Sequence, residues 1–255
     1  MFSNLIEILV LSFVQGISEF LPISSSAHLL IISKLKAFQS SSLEIDISLH
    51  LGSLLAIIFY FRKDLIGILK NKDLSLLIIL GSIPLMVVGF ILHKTGLINY
   101  LRNIEVIAWT TLMFGILLFF SDRFETKKNL NKDLNLKNIL IISFFQILAL
   151  IPGVSRSGII ITAGRFLKFN RYESSKISFY LSIPAIAGAS FLGLEDILSE
   201  NIEINSLVFL SIFLSFIFSY LTVKYFLIFV KNFSLNIFVF YRIILALILF
   251  FIIYY

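Results

Sequence analysis

Long apolar runs constrain the fold of this chain more than any other feature. A helix needs about 20 apolar residues to cross a bilayer. Six runs meet that need approximately, at residues 46–62, 74–92, 104–121, 176–194, 206–223 and 236–254. Hydrophobic residues make up 58% of the 255 and charged residues only 14%, against about half and about a quarter in soluble domains. The sequence therefore predicts an all-α polytopic membrane protein and excludes a water-soluble fold.

Two further apolar regions are interrupted at their centres. Region 3–36 is broken by the polar and proline residues within 19–26, and region 138–168 is broken within 152–158. Each half is too short to span a bilayer. A backbone break at membrane depth is tolerated only where it is buried in protein or faces water. We therefore expect two re-entrant helical hairpins.

The two broken regions resemble each other in sequence. Gln15 and Gln146 are 131 residues apart, and the same offset relates the serine-rich segments 24–27 and 155–158. This pattern predicts a single membrane domain, 1–255, built from two inverted repeats. Each repeat holds a hairpin and three spans, and they occupy residues 1–121 and 138–255.

Charge asymmetry between the connections predicts the orientation. Fifteen of the 21 Lys and Arg residues lie in four connections, which are 62–73, 122–137, 165–176 and 224–232. Positively charged loops face the cytoplasm, so the net charge of +6 indicates membrane orientation and not a nucleic-acid partner. Three spans separate the hairpins, so the first enters from outside and the second from inside. We expect their tips to meet near the midplane.

The first hairpin carries a cluster of polar side chains. Gln15 and Glu19 are four residues apart and share one helical face. Pro22 marks the break. Three serines, Ser24, Ser25 and Ser26, then precede His28, and serines are favoured as N-caps of a helix. Ionisable groups inside a membrane are costly and indicate function, although Glu19 at the interface, serines acting only as caps and a packing histidine are the alternatives.

The second hairpin carries a single arginine, Arg156, between Ser155 and Ser157. The segment ends in Gly158 and opens a half-helix, whose free N–H groups favour anions. The planar guanidinium matches phosphate oxygens. The alternative is an arginine at the cytoplasmic edge that only sets orientation.

Together the two tips predict phosphoryl chemistry. Glu19 would repel a bound anion unless a divalent cation, Mg²⁺ or Ca²⁺, lay between them, so Glu19 is the predicted metal ligand. A serine beside a base is a candidate nucleophile. The chain has no cysteine, which excludes disulfides and thiolate metal sites, and His50 and His93 are interpreted as packing or interfacial residues.

The residues that carry this cluster resemble those of undecaprenyl-diphosphate phosphatases, the bacitracin-resistance family, along essentially the whole chain. The resemblance lies in the pair Gln15 and Glu19, in the segment from Pro22 to His28, and in Pro152 to Gly158. Two positions differ from the family pattern. Gln15 stands where many members have glutamate, which leaves Glu19 as the metal ligand, and Ala27 replaces a common glycine.

The resemblance implies hydrolysis of a C55 polyprenyl diphosphate to its monophosphate, which recycles the carrier lipid for cell-wall synthesis. It implies a multi-pass protein of the bacterial inner membrane whose site opens to the periplasmic side. Catalysis would involve Glu19, Ser25, His28 and Arg156. The substrate would bind at Gln15, Ser24, Ser26, Ser155, Ser157 and Gly158.

Two alternatives remain open from the sequence. Metal-activated water could attack the phosphorus instead of Ser25. Inverted repeats with broken helices also occur in transporters, so a lipid-phosphate flippase or an anion transporter is the competing function. A homodimer is one option for the assembly.

Overall fold

The computed structural model describes residues 2–35, 43–199 and 206–254. The described chain is almost entirely helical. Its α-helices in chain order are α1 Phe2–Ser18, α2 Ser25–Leu35, α3 Leu43–Tyr60, α4 Arg62–Lys70, α5 Lys72–Lys94, α6 Ile98–Leu101, α7 Ile104–Asp122, α8 Leu130–Asp133, α9 Leu136–Ile147, α10 Arg156–Phe166, α11 Arg171–Ser199, α12 Ser206–Asn232 and α13 Asn236–Tyr254. A short 3₁₀ turn, Leu148–Leu150, extends α9.

The six predicted spans are confirmed as helices long and apolar enough to cross a membrane, namely α3, α5, α7, α11, α12 and α13. The largest differences lie at the charged ends. Helix α12 continues past Lys224 and Lys231 to Asn232, because long basic side chains can extend to the interface while their backbone stays helical. The connection 62–73 also contains a helix, α4, which the apolar-run pattern does not reveal.

Both breaks separate two half-helices at the expected places. The first lies between Ser18 and Ser25, and the second lies between the 3₁₀ turn and Arg156. The residue before each second half-helix has a positive φ, 76° at Ser24 and 70° at Ser155. Non-glycine residues rarely adopt this conformation, and it concentrates at functional sites. The two serines are related by the same offset as Gln15 and Gln146.

The two ends of the second broken segment lie close together in space. The backbone N–H groups of Lys127 and Lys128 both donate to the carbonyl of Lys168, at 3.0 and 3.1 Å. The buried carboxylate of Asp122 lies beside this contact and accepts from Arg171 Nε at 2.7 Å and from the backbone N–H of Leu235 at 3.0 Å. The ends of α7, α11 and α13 are thereby held together with the base of the α9–α10 segment.

Small residues bring α3 and α12 into close contact. A Cβ at Gly52 would collide with the carbonyl of Ile212, so a side chain here would separate the helices. Ser215 donates to the carbonyl of Leu49 at 2.7 Å. Close backbone approach at small residues drives helix association in membranes, where lipid removes the hydrophobic driving force. This contact fixes α3, which carries His50 to the polar cluster described below.

Candidate active site

Glu19 is the centre of the polar cluster. It follows the last residue of α1, and its side chain is only 7% exposed. Its Oε2 accepts hydrogen bonds from Gln15 Nε2 at 2.9 Å and from Ser25 Oγ at 2.7 Å. Its Oε1 accepts from Arg156 Nη2 at 2.6 Å. One carboxylate therefore joins both ends of the first break to the second break.

Arg156 is the first residue of α10 and reaches across from the second break. Its Nη2 forms the ion pair with Glu19, while its Nη1 is buried without a hydrogen-bond partner among the described residues. A second contact joins the tips, because Ser157 Oγ donates to the carbonyl of Leu21 at 2.7 Å. An unpaired buried guanidinium donor beside a helix N-terminus suits an anion.

The remaining predicted substrate-binding residues lie around these two side chains. Ser155 caps α10, because its Oγ accepts from the backbone N–H of Gly158 at 3.2 Å, and it also lies 3.2 Å from Ser157 Oγ. Ser24 lies at the break before α2, and its carbonyl contacts His28. Ser26 belongs to α2, but its side chain lies outside the described part of the structure.

A cavity of about 200 Å³ opens onto this cluster. Polar side chains form one part of its wall and apolar side chains the other. Its lining residues are Ser18, Glu19, Ser24, Ser25, His50, Leu85, Ala149, Leu150, Ser155, Arg156, Ala185, Ile186 and Ala189. The wall thus offers hydrogen-bond donors to a charged group and apolar contacts to a chain attached to it.

His28 lies near the cluster but is directed elsewhere. Its Nδ1 lies 2.6 Å from the carbonyl of Ser24, which can only accept, so Nδ1 carries a proton and donates. In the neutral ring Nε2 is then the acceptor, and it lies 2.5 Å from the hydroxyl of Tyr241. The two rings also stack, with centroids 5.7 Å apart. The hydrogen bond of Ser25 goes to Glu19, so the described geometry makes the carboxylate the nearest base to that hydroxyl.

His50 is a cluster residue that the sequence interpretation assigned to packing or to the membrane interface. It lies on α3, and its Nδ1 is 3.0 Å from Gln15 Nε2 and 3.8 Å from Glu19 Oε2. Its side chain is 35% exposed and lines the cavity. Sequence separation hides this contact. The available signal was a histidine within a predicted span, since polar residues there mark function.

Arg242 is the second residue that the sequence interpretation did not assign to the site. It is fully buried in α13. Its guanidinium donates to carbonyl oxygens of both breaks and of α7. The acceptors are Pro22 at 3.4 Å, Gly153 at 2.9 Å, Val154 at 3.1 Å, Thr110 at 3.4 Å and Thr111 at 3.1 Å. The signal available in the sequence was a single arginine within a predicted apolar span, where charged residues mark function.

The side chains of the cluster could hold a divalent cation only if a bound phosphate supplied further oxygen atoms. The described residues contain no group of three or more His, Asp or Glu side chains able to hold a metal. However, Gln15 Oε1 is buried without a hydrogen-bond partner among those residues, and it belongs to the side chain that contacts Glu19. Carboxylate, amide and phosphate oxygens are the ligands that Mg²⁺ and Ca²⁺ prefer. The residues therefore fit a cation that shares its coordination with phosphate.

These features define a class of protein, a polytopic helical membrane protein with a buried polar site between two helix breaks. Comparison with known proteins agrees. The family described as "Bacitracin resistance protein BacA" matches residues 8–248, and the chain belongs to this family.

Curated relatives cover nearly the whole chain. The chain is 59% identical to the "Undecaprenyl-diphosphatase" of Pelagibacter ubique (strain HTCC1062), over 100% of both chains. It is 40% identical to that of Elusimicrobium minutum (strain Pei191), over 96% of each. It is 39% identical to that of Alcanivorax borkumensis, over 96% of this chain and 97% of the relative.

Proposed function

We propose that this protein is an undecaprenyl-diphosphate phosphatase, which hydrolyses the polyprenyl diphosphate to the monophosphate and inorganic phosphate. The activity recycles the carrier lipid for cell-wall synthesis, and the family description connects it with bacitracin resistance. Membership of the family and relatives that carry this name along their whole length support the reaction. The same evidence favours the phosphatase over the flippase or transporter.

One observation carries the assignment to this site. Glu19 accepts a hydrogen bond from Ser25 Oγ at 2.7 Å through one oxygen and pairs with Arg156 through the other. Meanwhile Arg156 keeps Nη1 unpaired among the described residues. A nucleophile, its base and an anion-binding donor thus lie within one connected group, which is the arrangement that phosphoryl transfer needs.

The chain's own residues account for the chemical steps. Arg156 Nη1, the hydroxyl of Ser155 and the N-terminus of α10 hold the phosphate oxygens. Ser25 Oγ attacks the terminal phosphorus while its proton passes to Glu19. The bond from that phosphorus to the bridging oxygen breaks, and the polyprenyl monophosphate leaves with the bonding electron pair. The protonated Glu19 gives this proton to the departing monophosphate oxygen and becomes a carboxylate again. It then takes a proton from water, which attacks the phosphoserine. The bond from phosphorus to Ser25 Oγ breaks, the proton returns to Ser25 Oγ, and inorganic phosphate is released.

A divalent cation, Mg²⁺ or Ca²⁺, forms part of this proposal. Glu19 and Gln15 Oε1 would hold it together with phosphate oxygens. The cation would neutralise charge that develops on the transferred phosphoryl group. Direct attack by water, with Ser25 only binding the substrate, is the competing mechanism. Neither His28 nor Ser26 is needed for the steps above, and their catalytic and binding roles stay predictions.

We further propose that the site opens toward the outer face of a bacterial inner membrane. The basic connections 122–137 and 165–176 meet beside Asp122 at the base of the α9–α10 segment, on the side expected to be cytoplasmic. An odd number of spans separates the two broken segments, so α1 and α2 would enter from the opposite side. Substrate would then reach Glu19 from outside, with its chain against the apolar wall of the cavity.

Phosphate release from polyprenyl diphosphate by the purified protein tests the assignment. We expect release by wild type, suppression by EDTA, and a loss of at least about 100-fold in Ser25→Ala. Acid quenching during turnover should trap phosphate on Ser25. Full turnover by Ser25→Ala would reject the serine mechanism in favour of water attack. Wild-type protein that is folded but inactive with several metals and lipids would reject the phosphatase itself.

A further inference from the structure

His50 is held in the cavity by a chain of hydrogen bonds that fixes where its ring proton lies. Gln15 Nε2 contacts both Glu19 Oε2, at 2.9 Å, and His50 Nδ1, at 3.0 Å. A carboxylate accepts, so the amide group must present its NH₂ to Glu19. The same NH₂ then donates to His50 Nδ1. The neutral ring therefore carries its proton on Nε2.

This arrangement makes the ring of His50 a donor that the known cluster does not use. The ring lines the cavity together with Glu19, Ser25 and Arg156, and 35% of the side chain is exposed. The hydrogen bond from Gln15 occupies Nδ1, which leaves Nε2–H as the nitrogen available to a ligand.

We propose that His50 binds the substrate by donating its Nε2–H to a phosphate oxygen of the lipid diphosphate, with Gln15 holding the ring in the required tautomer. The inference rests on the proposed function. It adds a substrate-contacting residue from α3, so that three parts of the fold surround the diphosphate. These are the first break with Glu19 and Ser25, the second break with Arg156, and the first full span with His50.

The same geometry gives Gln15 a role that a glutamate could not fill. An amide donates to both Glu19 and His50, whereas a carboxylate at this position would only accept. In the neutral ring, glutamate would require the proton on Nδ1, and Nε2 would lose its donor.

Steady-state kinetics with polyprenyl diphosphate separate substrate binding from support of the site. His50→Leu removes the donor, and we expect KM to rise on the order of 10-fold or more, as for a lost hydrogen bond to a charged group, while kcat changes by less than about threefold. Inhibition by inorganic phosphate should weaken in parallel. His50→Gln restores an acceptor for Gln15 and a donor for phosphate, so its KM should stay within about threefold of wild type. His93→Leu is the matched control and should behave as wild type.

Two results would overturn the proposal. A His50→Leu variant with a lower kcat and an unchanged KM would show that His50 only supports Gln15 and Glu19. A His50→Gln variant as impaired as His50→Leu would show that no donor is needed at this position. Wild-type hydrolysis in the same assay distinguishes either result from failure of the phosphatase assignment, and thermal unfolding of each variant shows that it is folded.

Discussion

Replacement of Arg242 by leucine should weaken the whole protein because one guanidinium holds both helix breaks. Three of its acceptors, the carbonyls of Pro22, Gly153 and Val154, belong to the breaks. A buried carbonyl left without a donor costs about 1–3 kcal/mol, so three cost about 3–9 kcal/mol. Removal of a buried charge offsets part of this cost. We expect a net loss of about 3 kcal/mol, out of about 5–15 kcal/mol in a typical folded protein.

Thermal unfolding in detergent and phosphate release measure the two consequences together. Arg242→Leu should unfold at a lower temperature and lose activity, because the positions of Glu19 and Arg156 depend on the same breaks. Arg242→Lys should be intermediate, since an ammonium carries three donors against five. Arg123→Leu, which removes an arginine stacked on Phe119, is the matched control. The reasoning would be refuted if Arg242→Leu unfolded like wild type and kept at least half of its activity.

Three further predictions concern the second break, Asp122 and Asp64. Gly153 has a φ of +90°, and its Cβ would collide with Thr110, so Gly153→Ala should lose about 1–3 kcal/mol and activity with it. Asp122→Asn removes the carboxylate charge that faces buried Arg165 and partly exposed Arg171, and it should lower the free energy of unfolding by about 3–5 kcal/mol. Partial burial alone would raise the pKa of Asp64, but hydrogen bonds from Lys176 and Tyr180 outweigh it and lower the pKa below 3.8. The stabilisation that this pKa shift gives the folded protein is therefore present above pH 3.8 and is lost as the pH falls through the lower pKa of the folded state. Thermal unfolding measured against pH should show this loss, and Asp64→Asn should reduce it.

Apolar run length predicted the architecture well because the membrane imposes it. A span must be long and apolar whatever it packs against, so the positions of α3, α5, α7, α11, α12 and α13 could be read directly. Helix ends were less predictable. Hydropathy falls at the first charge, whereas α12 continues to Asn232 because backbone hydrogen bonding does not depend on side-chain polarity. Helix α4 was missed for the same reason.

The local parts of the site could also be predicted, and the distant parts could not. Gln15, Glu19 and Ser25 lie within a few residues, so helical spacing and the proline break bring them together. Two long-range contacts have no such signature. These are the contact of His50 with Gln15 and the hydrogen bonds of Arg242 to both breaks. Each residue was visible as a polar side chain in an apolar span, but its partner is set by helix packing, which the sequence pattern does not encode.

His28 was assigned a catalytic role by motif alone. That role came from the resemblance, which places His28 in catalysis together with Ser25. In the structure both ring nitrogens contact other groups, the carbonyl of Ser24 and the hydroxyl of Tyr241. Tyr241 lies on α13, so this contact too depends on tertiary packing. The catalytic role of His28 stays a prediction.

The central claim is that Glu19 and Arg156, from the two breaks, act as one catalytic unit. A double-mutant cycle on phosphate release measures this directly, with Glu19→Gln, Arg156→Gln and the double variant. Each single change should lower kcat/KM by at least about 100-fold, and the double variant should be little worse than either, as for residues that act together. Additive losses, or near wild-type release by either single variant, would contradict the two-break site.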